Sequence, residues 1–431
     1  MKNILSIKIL LYYLILLLIL ASRSSSTVEP PLLFRLAFMI AVVLPTIYNK
    51  MICYPAIIGL FYTLTNYGFA YSFMPYTLSI YVGITLLFFL YRWREKSTKI
   101  PKFLLFFTVY IFFVDFISGF FHPSGIYIQK IFYCFVLLVL FINLVNDNYE
   151  SYLIQIPSCF AIATIVLSLV FFTNKDTIIF DSYGDMERTG WTDPNYFGMV
   201  LGMGTISGLI KFFSSEWNRL PSLEKIIYII SVTISIPVLC LNASRGAVLS
   251  VLIAFLILLY DSRVKLYIKL FSIFMAVLVI FFLFNNHYLD LLEYRIQNDD
   301  GTGSLRTIIW SEKLEAFING NPFLILFGYG RYGGVNITNQ IVAFHNDYLS
   351  FLVSYGLIGF FLFLYMMYYP LKVLPNQSKY KPIVLVIIIY LLICFITLEP
   401  FGIGGLPYFM FYLYALLMAY NEKRKLHFVV K

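Results

Sequence analysis

The sequence predicts an all-α polytopic integral membrane protein with about 14 transmembrane helices and one large extracytoplasmic helical loop. Three observations predict this fold class. The 431 residues are 60% hydrophobic and only 12% charged, so a soluble fold would lack the polar surface needed to cover its core. Apolar runs of spanning length recur from end to end. Basic residues alternate with those runs in the pattern that sets membrane topology.

Each predicted transmembrane helix is an apolar run of roughly 20 residues. The runs are residues 4–20, 31–48, 51–69, 76–91, 103–121, 124–145, 152–173, 194–213, 223–241, 245–260, 266–284, 346–369, 382–398 and 403–420. Pro45, Pro55 and Pro75 interrupt the pattern before Tyr76. The count therefore falls between about 12 and 14, with a re-entrant segment as the alternative for one short run.

Basic residues orient the chain, because Lys and Arg are retained on the cytoplasmic side. Most of the 31 basic residues fall on one side of the alternation, among them the run Arg92 to Lys102 and the tail Lys423 to Lys431. We therefore expect both termini in the cytoplasm. The net charge of +9 is then a topology signal, and no nucleic-acid partner is expected. The 5 cysteines show no CxxC spacing, so neither disulfides nor a zinc site is expected.

We divide the chain into four parts. Residues 1–173 and 345–431 hold the N-terminal and C-terminal transmembrane helices, residues 174–284 hold transmembrane helices with arginine at their outer ends, and residues 285–344 form the extracytoplasmic loop. Within the loop, Ser304 precedes an amphipathic stretch that ends before Asn321-Pro322. This pattern predicts a small cap of short helices that lies on the membrane.

Polar residues mark the helix starts predicted at the outer face, where the positive end of each helix dipole lies. These starts are Asp193-Pro194-Asn195 with Arg188 upstream, Ser244-Arg245, and His345-Asn346-Asp347; Arg306 begins the loop helix in the same way. Backbone N–H groups and a guanidinium that point the same way bind anions. We therefore expect these helix ends to gather around one cavity that binds a diphosphate.

A lipid diphosphate at the outer leaflet suggests glycosyl transfer, in which an acceptor hydroxyl attacks the anomeric carbon and the lipid diphosphate departs. This reaction needs cations near the leaving group and a base near the hydroxyl. Soluble nucleotide-sugar transferases often use an Asp-x-Asp pair and a metal, and this sequence has no such pair. We therefore expect no metal and no cofactor. Arg188, Arg245 and Arg306 are the candidate cations, and His345 is the candidate base.

Four sequence blocks resemble the bacterial O-antigen ligase and O-antigen polymerase superfamily. The first is His345-Asn346, then nine residues, then Gly356-Leu357-Ile358-Gly359. The others are Ser244-Arg245-Gly246-Ala247-Val248-Leu249, with its Arg-x3-Leu; Arg188 with Asp193-Pro194-Asn195; and Arg306 with Trp310, Asn321-Pro322 and Gly328-Tyr329-Gly330. The blocks occur in the expected order, and the seven helices that precede them contribute nothing diagnostic.

The resemblance implies a metal-independent, inverting glycosyltransferase in the cytoplasmic (inner) membrane of a bacterium, with its active site on the extracytoplasmic face. Its donor would be an undecaprenyl-diphosphate-linked glycan used for O-antigen or capsule-like surface polysaccharide. By the same resemblance, Arg245 and Arg306 would bind the diphosphate, Arg188 would support them, and His345 would be the base. The supporting residues would be Asp193, Asn195, Ser244, Asn346, Asp347, Gly356 and Gly359.

The resemblance leaves the acceptor open, because polymerases and ligases share these blocks. The acceptor would be another lipid-linked repeat, the lipid A core or a protein. A polymerase is slightly favoured, since the chain carries no signal specific to a core acceptor. A flippase or a chain-length regulator is a possible partner of either enzyme.

Plainer interpretations of the same residues remain open. An arginine at a helix end commonly anchors the helix to lipid headgroups, and acidic neighbours of Arg188 offer it a simple ion pair. Asp193 and Asp347 are more typical of helix caps than of acids, although each is an alternative base. The segment Gly328 to Gly333 matches GxGxxG, but no strand–helix–strand unit is predicted around it, so we interpret it as a turn.

The rival function is a transporter, either a flippase or an exporter, of lipid-linked oligosaccharide. Transporters place polar groups near the bilayer midplane on broken helices. Here the middles of the predicted helices are nearly free of charge, with Asp115 and Lys130 as exceptions toward the outer half. A non-catalytic scaffold is a third alternative, but it would give the arginines at the helix starts no purpose.

Overall fold

The computed structural model describes residues 102–121, 157–158, 160–169, 171–172, 179–183, 186–189, 194–214, 216–261, 263–298, 306–338, 344–375, 378 and 380–397, with Ile15 and Leu417. The segments predicted at residues 31–48, 51–69, 76–91 and 124–145 lie outside the described residues, as do those at 4–20 and 403–420 apart from these two single residues. Asp193 and Lys130 also lie outside them.

The described chain is helical apart from one short hairpin. In chain order its elements are α1 (Lys102–Phe121), α2 (Phe160–Leu169), β1 (Ile179–Tyr183), β2 (Met186–Thr189), α3 (Pro194–Phe212), a 3-10 turn (Trp217–Arg219), α4 (Ser222–Leu241), α5 (Arg245–Tyr260), α6 (Leu266–Asn285), α7 (Asp290–Gln297), α8 (Arg306–Ile318), α9 (Pro322–Phe327), α10 (Gly330–Val335), α11 (Asp347–Val373) and α12 (Lys381–Thr397). The hairpin is a small departure from the predicted all-α fold.

Three described helices are long and apolar enough to cross a membrane: α4, α6 and α11, with mean hydropathies of 1.8, 2.6 and 2.0. Three further apolar helices, α2, α5 and α12, are shorter. These helices agree with the predicted multi-pass membrane protein. The predicted number of segments and the predicted orientation remain predictions.

Contacts divide the chain into two compact units. The first unit comprises Met1–Thr77, Glu150–Asn298 and Pro382–Ile393. The second comprises Leu78–Tyr149, Asp299–Lys381 and Cys394–Lys431. The loop predicted at residues 285–344 therefore contributes to both, with α7 in the first unit and α8, α9 and α10 in the second.

Helix α3 is the centre of the first unit and is buried along most of its length. Neighbouring helices can approach α3 closely because it carries small residues, and small residues at the interface are typical of helix packing in membranes. A Cβ added at Gly204 would lie 1.8 Å from Thr164 Oγ1 of α2, and one at Gly208 would lie 2.6 Å from Val232 Cγ2 of α4. Buried hydroxyls bond across the same contacts, as in the 2.7 Å pair between Thr205 and Ser235.

Helix α11 organises the second unit and packs against α1 and the short helices α9 and α10. Its core cluster consists of Phe317, Val335, Phe344 and Val353. Farther along α11, the rings of Phe351 and Phe363 stack with centroids 4.3 Å apart. The short helices are thereby held on α11 by a continuous apolar contact.

Candidate functional site

In the first unit, the starts of α3 and α5 are tied together by side chains. The turn between α4 and α5 consists of residues 242–244. The amide of Asn242 donates to the Pro194 carbonyl at 2.6 Å, and the Ser244 hydroxyl donates to the Asn195 side-chain oxygen at 3.4 Å. The two helix starts that the sequence singled out in this unit are thus neighbours.

Arg245 is the first residue of α5 and contacts α7. Its guanidinium donates to the Arg295 carbonyl at 3.3 Å. Arg295 is buried, and its own guanidinium donates to the carbonyl of Ala243, two residues before Arg245. Two guanidinium groups therefore lie at the start of one helix. The sequence did not distinguish Arg295 from other basic loop residues, because its role depends on how α7 folds back.

In the second unit, Phe344 fixes the backbone just before His345. Phe344 is fully buried, and its carbonyl accepts a 2.7 Å hydrogen bond from the Trp310 indole of α8. The Lys313 ammonium lies 4.6 Å from the Phe344 ring centroid and donates to the Val335 carbonyl at 2.7 Å. His345 itself is partly exposed and has a φ of 50°. Contacts of Phe344 with Trp310 and Lys313 of α8 therefore fix the backbone next to His345.

His345 directly precedes the capped start of α11. Asn346 is the N-cap, and its side chain accepts from the Leu349 N–H at 3.1 Å. Asp347 is the first helical residue and is buried. The N-cap is therefore Asn346 and not Asp347, for which the sequence suggested the capping role, and His345 lies at the electropositive end of α11.

A hydrogen bond from Trp310 links the first part of α8 to the segment before α11. Arg306 is the first residue of α8, and Trp310 lies one turn farther on the same face of that helix. Because Trp310 is bonded to the carbonyl next to His345, the guanidinium-bearing turn of α8 is held beside the start of α11. Both predicted site residues belong to the second unit, and each is close in sequence to one partner of this hydrogen bond.

The two glycines that follow His345-Asn346 mark a break in α11. Gly356 has φ 65° and ψ −172°, which is not helical, so α11 consists of a first half of residues 347–355 and a longer second half. A Cβ at Gly356 would lie 2.3 Å from the Leu326 carbonyl oxygen. One at Gly359 would lie 2.2 Å from the Tyr355 Cβ. The glycines therefore serve close backbone packing.

The segment Gly328 to Gly333 docks at this break. Only Gly328 and Tyr329 connect α9 and α10, and Gly330 to Gly333 lie in α10, so the turn interpreted from the sequence is shorter than predicted; φ is 93° at Gly328 and 71° at Gly330. A Cβ at Gly328 would lie 2.6 Å from the Gly356 nitrogen, so the two glycine backbones touch. The Tyr329 N–H donates to the Val353 carbonyl at 3.1 Å, which satisfies a group that the break leaves open.

The remaining predicted residues have a more limited description. Arg188 lies in β2 directly opposite Asp181 of β1. Asp193 lies outside the described residues. Arg245, Ser244 and Asn195 belong to the first unit, whereas Arg306, His345, Gly356 and Gly359 belong to the second. The expectation that all these groups share one cavity stays a prediction.

The candidate residues of the two units, each unit taken by itself, share one chemistry. Each has an arginine in the first turn of a helix, where backbone N–H groups have no partner within that helix. Such positions suit phosphate oxygens. The second unit adds an imidazole, which can accept a proton near neutral pH. Within the described part of the chain, no three His, Cys, Asp or Glu side chains cluster as metal ligands would.

Comparison with known proteins supports this assignment of the region. Residues 230–364 match the profile of the O-antigen ligase family. No curated protein matches the chain. The matched region contains Arg245, Arg306, His345, Gly356 and Gly359, and it agrees with the resemblance seen in the sequence. Residues 230–364 are therefore similar to the O-antigen ligase family, in a chain whose described helices include three that are long and apolar enough to cross a membrane.

Proposed function

We propose that the protein is a membrane glycosyltransferase that transfers or polymerises undecaprenyl-diphosphate-linked oligosaccharide during surface polysaccharide biosynthesis. The observation that carries the proposal is the start of α11: His345 directly precedes this helix, and the carbonyl before it accepts a hydrogen bond from Trp310, which lies one turn from Arg306 on α8. Both residues lie in the region that matches the O-antigen ligase family. That family acts at the membrane, which agrees with the apolar helices of this chain.

The proposed reaction is a single inverting displacement. The acceptor hydroxyl oxygen forms a bond to the anomeric carbon of the donor glycan as the bond from that carbon to the diphosphate oxygen breaks. The proton of the hydroxyl passes to His345, and undecaprenyl diphosphate leaves. Arg245 and Arg306 neutralise the charge that develops on the leaving diphosphate, with Arg188 as a supporting cation.

The rest of the site positions these groups. Asn346 caps the helix that presents His345, and Gly356 and Gly359 allow the packing that holds this helix. Ser244 and Asn195 tie the starts of α3 and α5 near Arg245. Catalysis of this kind depends on charged groups that are already oriented before the substrate binds.

Replacement of His345 or Arg245 by Ala tests the proposal. In a strain that lacks the gene, we expect neither variant to restore polymerised or ligated glycan, while both insert in the membrane at the wild-type level. Loss of a general base lowers a rate about 10²- to 10⁴-fold, which is enough to abolish product. Electrophoresis of surface and lipid-linked glycan measures the outcome.

Matched controls come from the same chain. His287 is exposed and pairs with Asp290 at 2.9 Å, and Arg263 pairs with Asp261 at 2.9 Å, so neither has a role in the proposed site. Ala variants of these two residues should restore normal glycan. Normal glycan from both His345→Ala and Arg245→Ala would remove the catalytic assignment.

The species that accumulates separates the alternatives. A polymerase defect leaves single lipid-linked repeats at the outer face, and a ligase defect leaves long lipid-linked chains that are not attached to an acceptor. We slightly favour the polymerase. Lipid-linked glycan confined to the cytoplasmic face in the His345→Ala strain would instead support the transporter alternative.

A further inference from the structure

Asp115 is a buried acid in the middle of an apolar helix. It lies in α1 and is only 2% exposed. In the predicted topology it falls toward the outer half of a transmembrane segment, where an ionisable side chain is costly to place and needs polar partners. Neither the predicted reaction nor the resemblance gives this residue a role.

Both carboxylate oxygens of Asp115 accept hydrogen bonds from different elements. Oδ1 accepts from the backbone N–H of Arg331, the second residue of α10, at 2.8 Å. Oδ2 accepts from the hydroxyl of Tyr355, the last residue of the first half of α11, at 3.0 Å. One side chain of α1 therefore joins the start of α10 to the break in α11.

Other residues on the same face of α1 reinforce this junction. The Tyr110 hydroxyl donates to the Tyr355 carbonyl at 2.8 Å and lies 3.0 Å from the Phe327 carbonyl oxygen. The Ser118 hydroxyl donates to the Tyr329 carbonyl at 2.9 Å. These bonds satisfy backbone groups that irregular chain would otherwise leave open at this depth. The turn at residues 327–331 is thus anchored to α1.

A chain of contacts leads from this junction to His345. The far end of α10 is the Val335 carbonyl, which accepts from Lys313 of α8 at 2.7 Å. Lys313 also lies against the Phe344 ring, and Phe344 precedes His345. At the other end of α10, the Arg331 guanidinium donates to Ser350 in the first turn of α11. Helix α10 therefore bridges Asp115 and the segment that presents the imidazole.

We propose that Asp115 is a positioning residue: its carboxylate holds α10 and the first half of α11 together and thereby sets the position of His345 relative to Arg306. The proposal rests on the proposed function for its catalytic consequence, but not for the contacts themselves. Asp115 is not a catalytic residue, because it is buried and both of its oxygens accept hydrogen bonds from the protein.

A reporter cysteine at Val335 tests the structural part. Val335 is 6% exposed, so a membrane-impermeant maleimide should label the Val335→Cys protein slowly. The labelling of the protein without this substitution measures the background from its own cysteines and is subtracted. Asp115→Ala removes both hydrogen bonds and should raise the labelling rate at least about tenfold. Asp115→Asn keeps an acceptor for Arg331 and a polar partner for Tyr355, so its labelling rate should stay within about twofold of wild type.

Thr108→Ala is the matched control on the same helix. The Thr108 hydroxyl donates at 2.8 Å to the Leu104 carbonyl within α1, so its loss should leave the labelling rate unchanged. If Asp115→Ala fails to insert, Tyr355→Phe replaces it, because this variant removes one of the two bonds to Asp115 and keeps the ring. It should raise the labelling rate about threefold.

The catalytic part is measured with the lipid-linked glycan of the host as donor. Per folded molecule, Asp115→Ala should lower kcat at least about tenfold with KM within about twofold, and Asp115→Asn should restore most of the rate. An unchanged labelling rate in the Asp115→Ala protein would overturn the proposal. So would a raised labelling rate in that protein if its kcat equalled that of the Thr108→Ala control. Wild-type turnover in His345→Ala would instead refute the proposed function, and the labelling result would still test the junction.

Discussion

Two residues beside the candidate site share an uncommon backbone conformation. Ala243 and His345 both have a φ of 50°, and each directly precedes the N-cap residue of a helix. A positive φ costs a residue with a Cβ about 1–2 kcal/mol, so the neighbouring contacts must hold it. Arg295 binds the carbonyl of Ala243, and Trp310 binds the carbonyl before His345. The strained backbone therefore lies next to Arg245 and at His345, whose side chains the proposed chemistry needs in fixed orientations.

Sequence could single out His345, Arg245 and Arg306 as candidates, because their residue types and spacing are distinctive at helix starts, and their roles stay predictions. It could not identify the residues that hold them. Arg295, Tyr355 and Asp115 act through contacts between segments far apart in the chain, such as the one between residues 115 and 355. No local pattern encodes such a contact, although Asp115 stood out as a charge in an apolar run.

Trp310→Phe tests how His345 is held. The variant keeps an aromatic ring but removes the indole N–H, which leaves the Phe344 carbonyl without its 2.7 Å bond. An unsatisfied carbonyl of this kind costs about 1–3 kcal/mol, so we expect glycosyl transfer to fall about tenfold. Initial rates of transfer in membranes, normalised to inserted protein, measure the effect.

Trp217→Phe is the control for this substitution. The described contact of Trp217 is an edge-on packing against Phe212, with ring centroids 5.3 Å apart, which phenylalanine can keep. Its transfer rate should match that of wild type. Equal rates for both tryptophan variants would mean that the bond to Phe344 does not position the imidazole.

At the scale of elements, the break in α11 is the least expected feature. Hydropathy predicted one helix at residues 346–369, and the structure has a helix from Asp347 to Val373 that is interrupted at Gly356. The interruption depends on the approach of Gly328 from another segment, which places the two backbones in contact. Periodicity within one helix cannot register such an approach, and the glycines after His345-Asn346 were interpreted as part of a family pattern and not as a break in the helix.

Gly356→Ala tests this break. The new Cβ would lie 2.3 Å from a backbone oxygen, on a residue with φ 65°. We expect a loss of at least about 2 kcal/mol of stability, seen as a lower midpoint of thermal unfolding in detergent. At Gly333 a Cβ would lie 3.1 Å from a side-chain carbon, so Gly333→Ala should be much milder. A Gly356→Ala protein as stable as the Gly333→Ala protein would contradict the account of the break.

At the scale of the whole molecule, apolar pattern predicted the helices well where the structure describes them. The predicted segment at residues 245–260 coincides with α5 (Arg245–Tyr260), and α3 and α4 differ from prediction by a single residue at one end. These ends could be predicted because charged, Pro and Gly residues flank the apolar runs. The hairpin β1–β2 was missed because residues 174–193 carry no apolar alternation that would distinguish a strand from a polar loop.

The proposed metal independence concerns the whole protein and can be tested on it. The proposed leaving-group cations are Arg245 and Arg306, and guanidinium groups can bind a diphosphate without a divalent ion. Transfer by the purified protein should therefore stay within about twofold of its initial rate in excess EDTA. Strong inhibition that is reversed when Mg²⁺ or Mn²⁺ is restored would show that a metal supplies the charge instead.

The central claim is that His345 acts as the general base while the arginines bind the diphosphate of the donor. Two assays on the purified His345→Ala protein, one of binding and one of transfer, test it most directly. We expect this variant to bind undecaprenyl diphosphate within about threefold of the wild-type affinity and to transfer glycan about 10²- to 10⁴-fold more slowly, whereas His287→Ala should match wild type in both assays. Transfer by His345→Ala within tenfold of the wild-type rate would contradict the account.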